Sequence, residues 1–350
     1  MKVILKQYYR SLKKKLKYIW VLIIIGGVIL IGPRPRGRYY DAELRDQVSL
    51  TINQIVSMVN LEGQNPHIKV GNKTQLYWAD TIPKKTRYVL LYLHGFSASP
   101  EEGSPVHRRF AEKFGMNMYA PLLSDHGVKT KEPMLGFTGE KYLNSVKKAF
   151  HVASQMGDSV IIMSTSTGST AALYLASGKN KIHSLICYSP NIRLADQRAI
   201  ILTWPWGLYI ARLIKGGKYH NWEAPQEAVP FWYTKYRLEA IVELQDLLLK
   251  TMTKETFSKV EVPTFIGYYY KNKEKQDDVV SVKAIKRMVK ELKTRDNQKR
   301  VVNFEKAEGH ALISRYFSKS TEEVYKETCG FAKNLLNLKE VKEKGQIEGQ

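Results

Sequence analysis

Six short apolar runs separated by stretches of helical spacing constrain this chain more than any other feature. Residues 88–93 (YVLLYL), 117–122, 159–163 (SVIIM), 182–188 (IHSLICY), 264–270 and 300–304 are runs of the kind that a sheet buried on both faces requires. Helical patterns over about 105–114, 141–156, 170–176 and 282–292 separate them, and one over 321–338 closes the series. Such alternation predicts an α/β fold with a mostly parallel central sheet and helices on both faces. The 350 residues suit one large domain with an insertion, and 43% apolar against 25% charged residues supplies a core and excludes wholesale disorder.

The alternation lapses once. Between Ser189 and Val262 no clear parallel strand occurs, yet four of the six tryptophans lie there: Trp204, Trp206, Trp222 and Trp232. The expectation is a helical cap over about 190–260, either covering an apolar pocket or packing as a subdomain with its own core. Ahead of the sheet, 41–59 has helical spacing and predicts an entry helix, while 67–70 and 75–78 flank Gly71-Asn72-Lys73 as a hairpin. Cys187 and Cys329 read as packing thiols and do not fix the redox compartment.

Charge is unevenly spread. Residues 1–40 carry ten Lys or Arg and no acid, a large part of the net charge of +22. Seven of these cations precede an uncharged run over 18–32 (YIWVLIIIGGVILIG), and Arg34, Arg36 and Arg38 follow it. The reading is a basic cytoplasmic segment (1–17), an uncleaved transmembrane signal anchor (18–32), a linker with the entry helix (33–66), the main domain (67–338) and a flexible tail (339–350). A cleaved signal peptide has the same layout but needs a small-x-small site, and the exit here is Gly-Pro-Arg-Pro-Arg-Gly-Arg. A buried core helix is the remaining reading, and the basic preface opposes it. The charge asymmetry predicts a single-pass membrane protein with a cytoplasmic amino terminus and an extracytoplasmic main domain. Nucleic acid is not an expected partner, since no aromatic-basic interleaving or zinc-ligand spacing accompanies the charge.

Chemistry concentrates at strand ends. Ser164-Thr165-Ser166-Thr167-Gly168 follows the strand SVIIM and opens a small-residue helix, a strand-turn-helix setting that would hold the Ser166 hydroxyl above the sheet edge on a strained turn. Ser164 stands where glycine is more usual. His94-Gly95-Phe96 ends the strand YVLLYL, and the backbone amides of Phe96 and Thr167 are the candidate oxyanion donors. His94 reads as a structural loop residue. With a nucleophile in this setting, acid and then base follow in chain order. Of the eight histidines only His183, His220 and His310 come after Ser166, and His310 alone is on a loop after a late strand. It is the candidate base. The acid belongs in the loop after 264–270, where Asp277 is the candidate and Asp278 its rival.

These ordered motifs, His94-Gly95-Phe96, 164–168, Asp277-x-Val279-Val280 and Gly309-His310, resemble the α/β-hydrolase superfamily, in particular carboxylesterases, monoacylglycerol-lipase-like enzymes and serine-aminopeptidase-like hydrolases. The resemblance covers about 75–338. It implies the α/β-hydrolase fold, a Ser166 acyl-enzyme served by Asp277 and His310, no metal and no organic cofactor. Asp125-His126-Gly127 also resembles a family loop that is scaffold there. The expected function is membrane-anchored cleavage of a small-molecule or lipid-derived carboxylic ester. Amide or peptide hydrolysis, or an inactive membrane-bound binding protein, are the alternatives. Lys283, Lys286, Lys290 and Lys293 share one helix face, which reads as solvated or as a contact for anionic head groups.

Overall fold

The structure, a computed structural model, describes residues 2–33, 35, 39–44 and 48–341. In chain order the elements are α1 (Lys2–Ile31), α2 (Ile52–Gly63), β1 (Gln75–Tyr77), β2 (Thr86–Leu93), α3 (Val106–Lys113), β3 (Asn117–Ala120), α4 (Gly139–Met156), β4 (Gly157–Thr165), α5 (Thr167–Ala176) and β5 (Ile182–Tyr188). An insertion follows with α6 (Gly207–Lys215), a β6 (Tyr219–Asn221) and β7 (Lys235–Arg237) hairpin, α7 (Leu238–Thr251) and α8 (Lys254–Phe257). The chain then returns through β8 (Thr264–Tyr268), α9 (Val282–Glu291), β9 (Lys299–Asn303) and α10 (Thr321–Asn334).

All six apolar runs are strands of one seven-stranded sheet, in the order β1-β3-β2-β4-β5-β8-β9. Only β1 is antiparallel, along β3. Alternate side chains of each strand point to opposite faces. In β2, Val89, Leu91 and Leu93 enter the core shared with α4, α5, α7 and α9, whereas Leu90 and Tyr92 enter the core beneath α3 and α10. Both cysteines are free and buried.

Gly168 sets how closely α5 can approach. A Cβ there would lie 2.1 Å from the Leu93 carbonyl oxygen, so the first turn of α5 rests directly on the end of β2.

Three expectations are corrected. The hairpin across Gly71-Asn72-Lys73 does not form. Gln75–Tyr77 pairs with β3, and Ile68 makes a single bridge to Val128. The turn is instead docked on the insertion: Asn72 is buried, and its Nδ2 donates to the carbonyls of Val70 and Pro230. The entry helix starts later than 41, at Ile52, because Thr51 and Gln54 form a reciprocal capping box there. The single-pass anchor over 18–32 is overturned as well, since among the described residues no helix is long and apolar enough to cross a membrane. Helix α1 is long, but Lys13, Lys14, Lys15 and Lys17 charge its first half. The uncharged part to Ile31 measures about 21 Å against a hydrocarbon core of about 30 Å. Its end meets the insertion, where the Trp206 indole donates to the Val28 carbonyl at 2.9 Å and the Trp206 amide to that of Pro33 at 2.9 Å. Arg34, Arg36 and Arg38, and the tail from residue 342 on, lie outside the described residues.

Substituting Gly168→Ala forces α5 away from β2. It should destabilise the fold by about 3 kcal/mol or more, read as a lowered midpoint in urea unfolding.

Candidate functional site

Four strand ends meet at one edge of the sheet, the carboxyl edge, where open α/β sheets present their sites. Leu93 of β2 lies opposite Ser164 of β4, and Thr165 opposite Tyr188 of β5, so these ends are level. His94-Gly95-Phe96 leaves β2 there and Ser166 leaves β4. The loop after β8 brings Asp277, and the loop after β9 brings His310.

Ser166 joins β4 to α5 with φ 54° and ψ −117°, a conformation an L-residue adopts only under constraint. The constraint is visible. Its N–H donates to the Tyr188 carbonyl at 2.9 Å, and its own carbonyl accepts from Ser169, Thr170 and Asn191 at 3.0, 3.2 and 3.1 Å. Ser164, where glycine is more usual, is accommodated because its buried hydroxyl meets that of Ser169 at 3.0 Å. Thr167 is the first residue of α5, whose amide has no acceptor within the helix. Phe96 is half-buried, its ring packed edge-on against Phe137 and Tyr236 with centroids 5.1 and 5.4 Å away.

His310 Nδ1 lies 2.7 Å from Asp277 Oδ2. Oδ1 of the same carboxylate accepts the amides of Val279 and Val280 at 3.0 and 2.9 Å, which fixes the acid before it meets the ring. The Asp277 side chain is fully buried, whereas Asp278 is exposed, so of the two acids Asp277 is the one in contact with the imidazole. Nε2 of His310 is buried and has no hydrogen-bond partner. Burial pulls the pKa of this ring down, but the carboxylates around it, Asp277 foremost and then Glu102 and Asp278, together hold it above its ordinary value. A ring fixed at Nδ1 with a basic, unpaired Nε2 can accept a proton.

The other histidines are committed elsewhere. His94 Nε2 accepts the Leu123 amide at 3.1 Å and Nδ1 donates to the Gly95 carbonyl at 2.9 Å, with burial pushing its pKa far down. His126 is buried, packs on His94, and is pushed to about 4, mainly by desolvation. His183 is in β5 and His220 in β6.

Sequence reasoning passed over one acid. Glu102, 2% exposed, accepts the Gly95 amide at 2.7 Å and the Tyr92 hydroxyl at 2.9 Å through one oxygen. The available signal was Glu101-Glu102 just after the His94-Gly95-Phe96 loop, but nothing in the spacing says which of two adjacent acids turns inward.

Among the described residues no group of three or more His, Cys, Asp or Glu could hold a metal ion. A cavity of about 580 Å³ lies between the insertion and α9, lined by Arg193, Lys283, Lys286, Arg287 and Lys290, and none of Ser166, Asp277 or His310 borders it. Lys286 sits over the Tyr270 ring, and Lys293 pairs with Glu261.

No protein-family model matches this chain, and no curated protein matches it. Solved structures do. A structure from work on the metagenome-derived lipolytic enzymes LipS and LipT aligns with a TM-score of 0.59 at 15% identity, over 75% of this chain and 98% of that one. A soluble variant of monoglyceride lipase from Saccharomyces cerevisiae aligns at 0.54 and 13% identity, over 75% and 92%. Est1E from Butyrivibrio proteoclasticus aligns at 0.51 and 14%, over 77% and 98%. At these identities the likeness carries the fold, which is that of the α/β hydrolases.

Replacing Asp277 by Asn removes the largest of the charges that raise the His310 pKa and leaves desolvation opposed only by the weaker pull of Glu102 and Asp278. The imidazole should then titrate well below its wild-type value by ¹³C NMR, while Asp278→Asn should move it little.

Proposed function

We propose that the protein is a serine hydrolase of carboxylic esters in which Ser166 is the nucleophile, His310 the general base and Asp277 the acid that orients it. The observation that carries this reading is the strained Ser166 turn at the sheet edge that also receives an Asp277-paired imidazole with a free Nε2. His310 Nε2 takes the Ser166 proton as Oγ adds to the ester carbonyl. The amides of Phe96 and Thr167 hold the oxyanion. His310 then returns the proton to the departing alcohol, leaving an acyl-Ser166 ester. Water attacks that ester by the same route, and the carboxylic acid leaves. Asp277 keeps the proton on Nδ1 and stabilises the imidazolium that forms between the steps.

An apolar acyl group suits the surroundings. The insertion binds the oxyanion loop directly, since the Tyr233 amide donates to the Ser97 carbonyl at 2.8 Å. Trp232 and Ala98 share an apolar cluster with Trp222, Phe231, Tyr316 and Phe317. A lipid-derived ester is the substrate class that this apolar, aromatic-rich cluster beside the oxyanion loop favours over a small polar one. Ester is preferred to amide because the solved structures with this fold reported above include lipolytic enzymes and a monoglyceride lipase.

A fluorophosphonate probe should label the wild-type protein at Ser166, and Ser166→Ala or His310→Ala should abolish the labelling. Hydrolysis of p-nitrophenyl esters of graded chain length should fall by about three orders of magnitude or more in Ser166→Ala. A well-folded wild type that neither labels nor hydrolyses any ester would sink the reading. Because the base works only when neutral and its pKa is raised, kcat/KM should climb with pH through an apparent pKa above 6.5.

A further inference from the structure

The two amides proposed to hold the oxyanion come from different elements, Phe96 from the loop after β2 and Thr167 from α5. Their mutual placement therefore depends on whatever ties that loop to the Ser166 turn. A polar chain runs between them. The Thr165 hydroxyl lies 3.1 Å from the Tyr92 hydroxyl, which lies 2.9 Å from Glu102 Oε2, and Oε2 also accepts the Gly95 amide at 2.7 Å. Thr165 immediately precedes Ser166, and Gly95 immediately precedes Phe96. Glu102 Oε1 faces the same space: a Cβ on Gly95 would lie 2.9 Å from Oε1 and 3.2 Å from Ser166 Cβ.

We infer that Glu102 is a positioning residue of this active site, a second buried carboxylate that clasps the oxyanion loop to the nucleophile turn. The inference rests on the serine-hydrolase reading above. A space-filling role does not account for it, because burying a carboxylate in a low dielectric costs several kcal/mol that an apolar side chain of the same size avoids. The turn that carries Glu102 is itself anchored to the loop after His310, where Arg315 reaches Glu101 at 2.7 Å. Removing the Gly95 amide into a hydrogen bond with Glu102 also leaves Phe96 as the next amide of the loop available to an oxyanion.

Tyr92 on β2 hydrogen-bonds Glu102, and Tyr142 on α4 and His310 on the loop after β9 are close enough to feel its charge. Both tyrosines are held neutral, their pKa values raised by burial. Burial raises the Glu102 pKa to about 7, against the Gly95 and Tyr92 hydrogen bonds and His310, which pull it down. Glu102 and His310 are both raised above their ordinary values and interact, so acid inactivation of the wild type involves both.

Glu102→Gln keeps the shape and removes the charge. Its kcat toward a p-nitrophenyl ester should fall about tenfold or more with KM changed less than twofold, the mark of lost transition-state positioning. The acid limb of its kcat/KM profile should move to lower pH and become shallower, because His310 loses an anion that raised its pKa and one titrating group is gone. A wild-type rate, or a lower rate with an unmoved acid limb, would overturn the inference and leave Glu102 as packing. Should Glu102→Gln melt below the assay temperature, Tyr92→Phe breaks the same chain at the hydroxyl. It should lower kcat about threefold or more with KM little changed, and a wild-type kcat there would equally overturn the proposal. Fluorophosphonate labelling of the wild type separates the two ideas. A labelled, active wild type with an indifferent Glu102→Gln defeats the inference alone. A wild type that neither labels nor hydrolyses defeats the hydrolase reading, and the His310 titration by NMR then still decides whether Glu102 couples to it.

Discussion

The left-handed turn at Ser166 is the constraint on which the arrangement at the sheet edge depends. A non-glycine residue in that region costs about 1–3 kcal/mol, so it persists only where its surroundings fix it from several sides. Here β5 takes its amide, the start of α5 and Asn191 take its carbonyl, and Gly168 lets α5 close directly onto the end of β2. The same closure brings the β2 loop beside the turn. Packing of a helix against a strand thus determines how near a hydroxyl and a pair of amides from separate elements can come.

This part of the molecule was legible because its physics is local. An apolar run with small residues at its end, followed by a small-residue helix start, specifies strand, tight turn and helix from a dozen residues. Five of the six strands were legible because their apolar runs are largely buried, while β9 at the sheet edge has a half-exposed run and was legible from its place in the alternation. Misread regions depended on distant partners. Gln75–Tyr77 pairs with β3 because the edge of a large sheet offers both hydrogen bonds and burial, which 67–70 could not match. The start of α2 was decided by Thr51 and Gln54, a capping signal that the apolar spacing of 41–59 overrode. Between Asp277 and Asp278 the sequence left a choice, and it is Asp277 that the two valine amides hold and that meets the His310 ring.

Charge was the least transferable signal. The basic amino-terminal segment with its apolar sequel has the composition of an anchor, yet the lysines reach too far along α1 to leave a span of sufficient length. The lysine face of α9 shows the same difficulty in another form. Lys286 is laid over an aromatic ring and Lys293 is paired with an acid, while Lys283 and Lys290 border a cavity. A count of cations distinguishes none of these situations, because what a charge does is set by its neighbours and its burial.

Glu102 illustrates that dependence at the point where it matters for chemistry. A buried anion opposes a developing oxyanion and favours an imidazolium, and at equal distances the two effects are of equal size. In the proposed proton transfer from Ser166 to His310 both charges appear together, so the two terms oppose each other and the charge of Glu102 acts on the rate chiefly through the strength of the hydrogen bonds its carboxylate accepts. What remains in the rate is geometry, the hold of its carboxylate on the Gly95 amide and, through Tyr92, on Thr165. No such opposition occurs when His310 is protonated from solvent, because no oxyanion accompanies it. A buried carboxylate in this position can therefore leave a larger signature in the pH dependence of a reaction than in its electrostatic barrier, while still being needed to keep two amides in register.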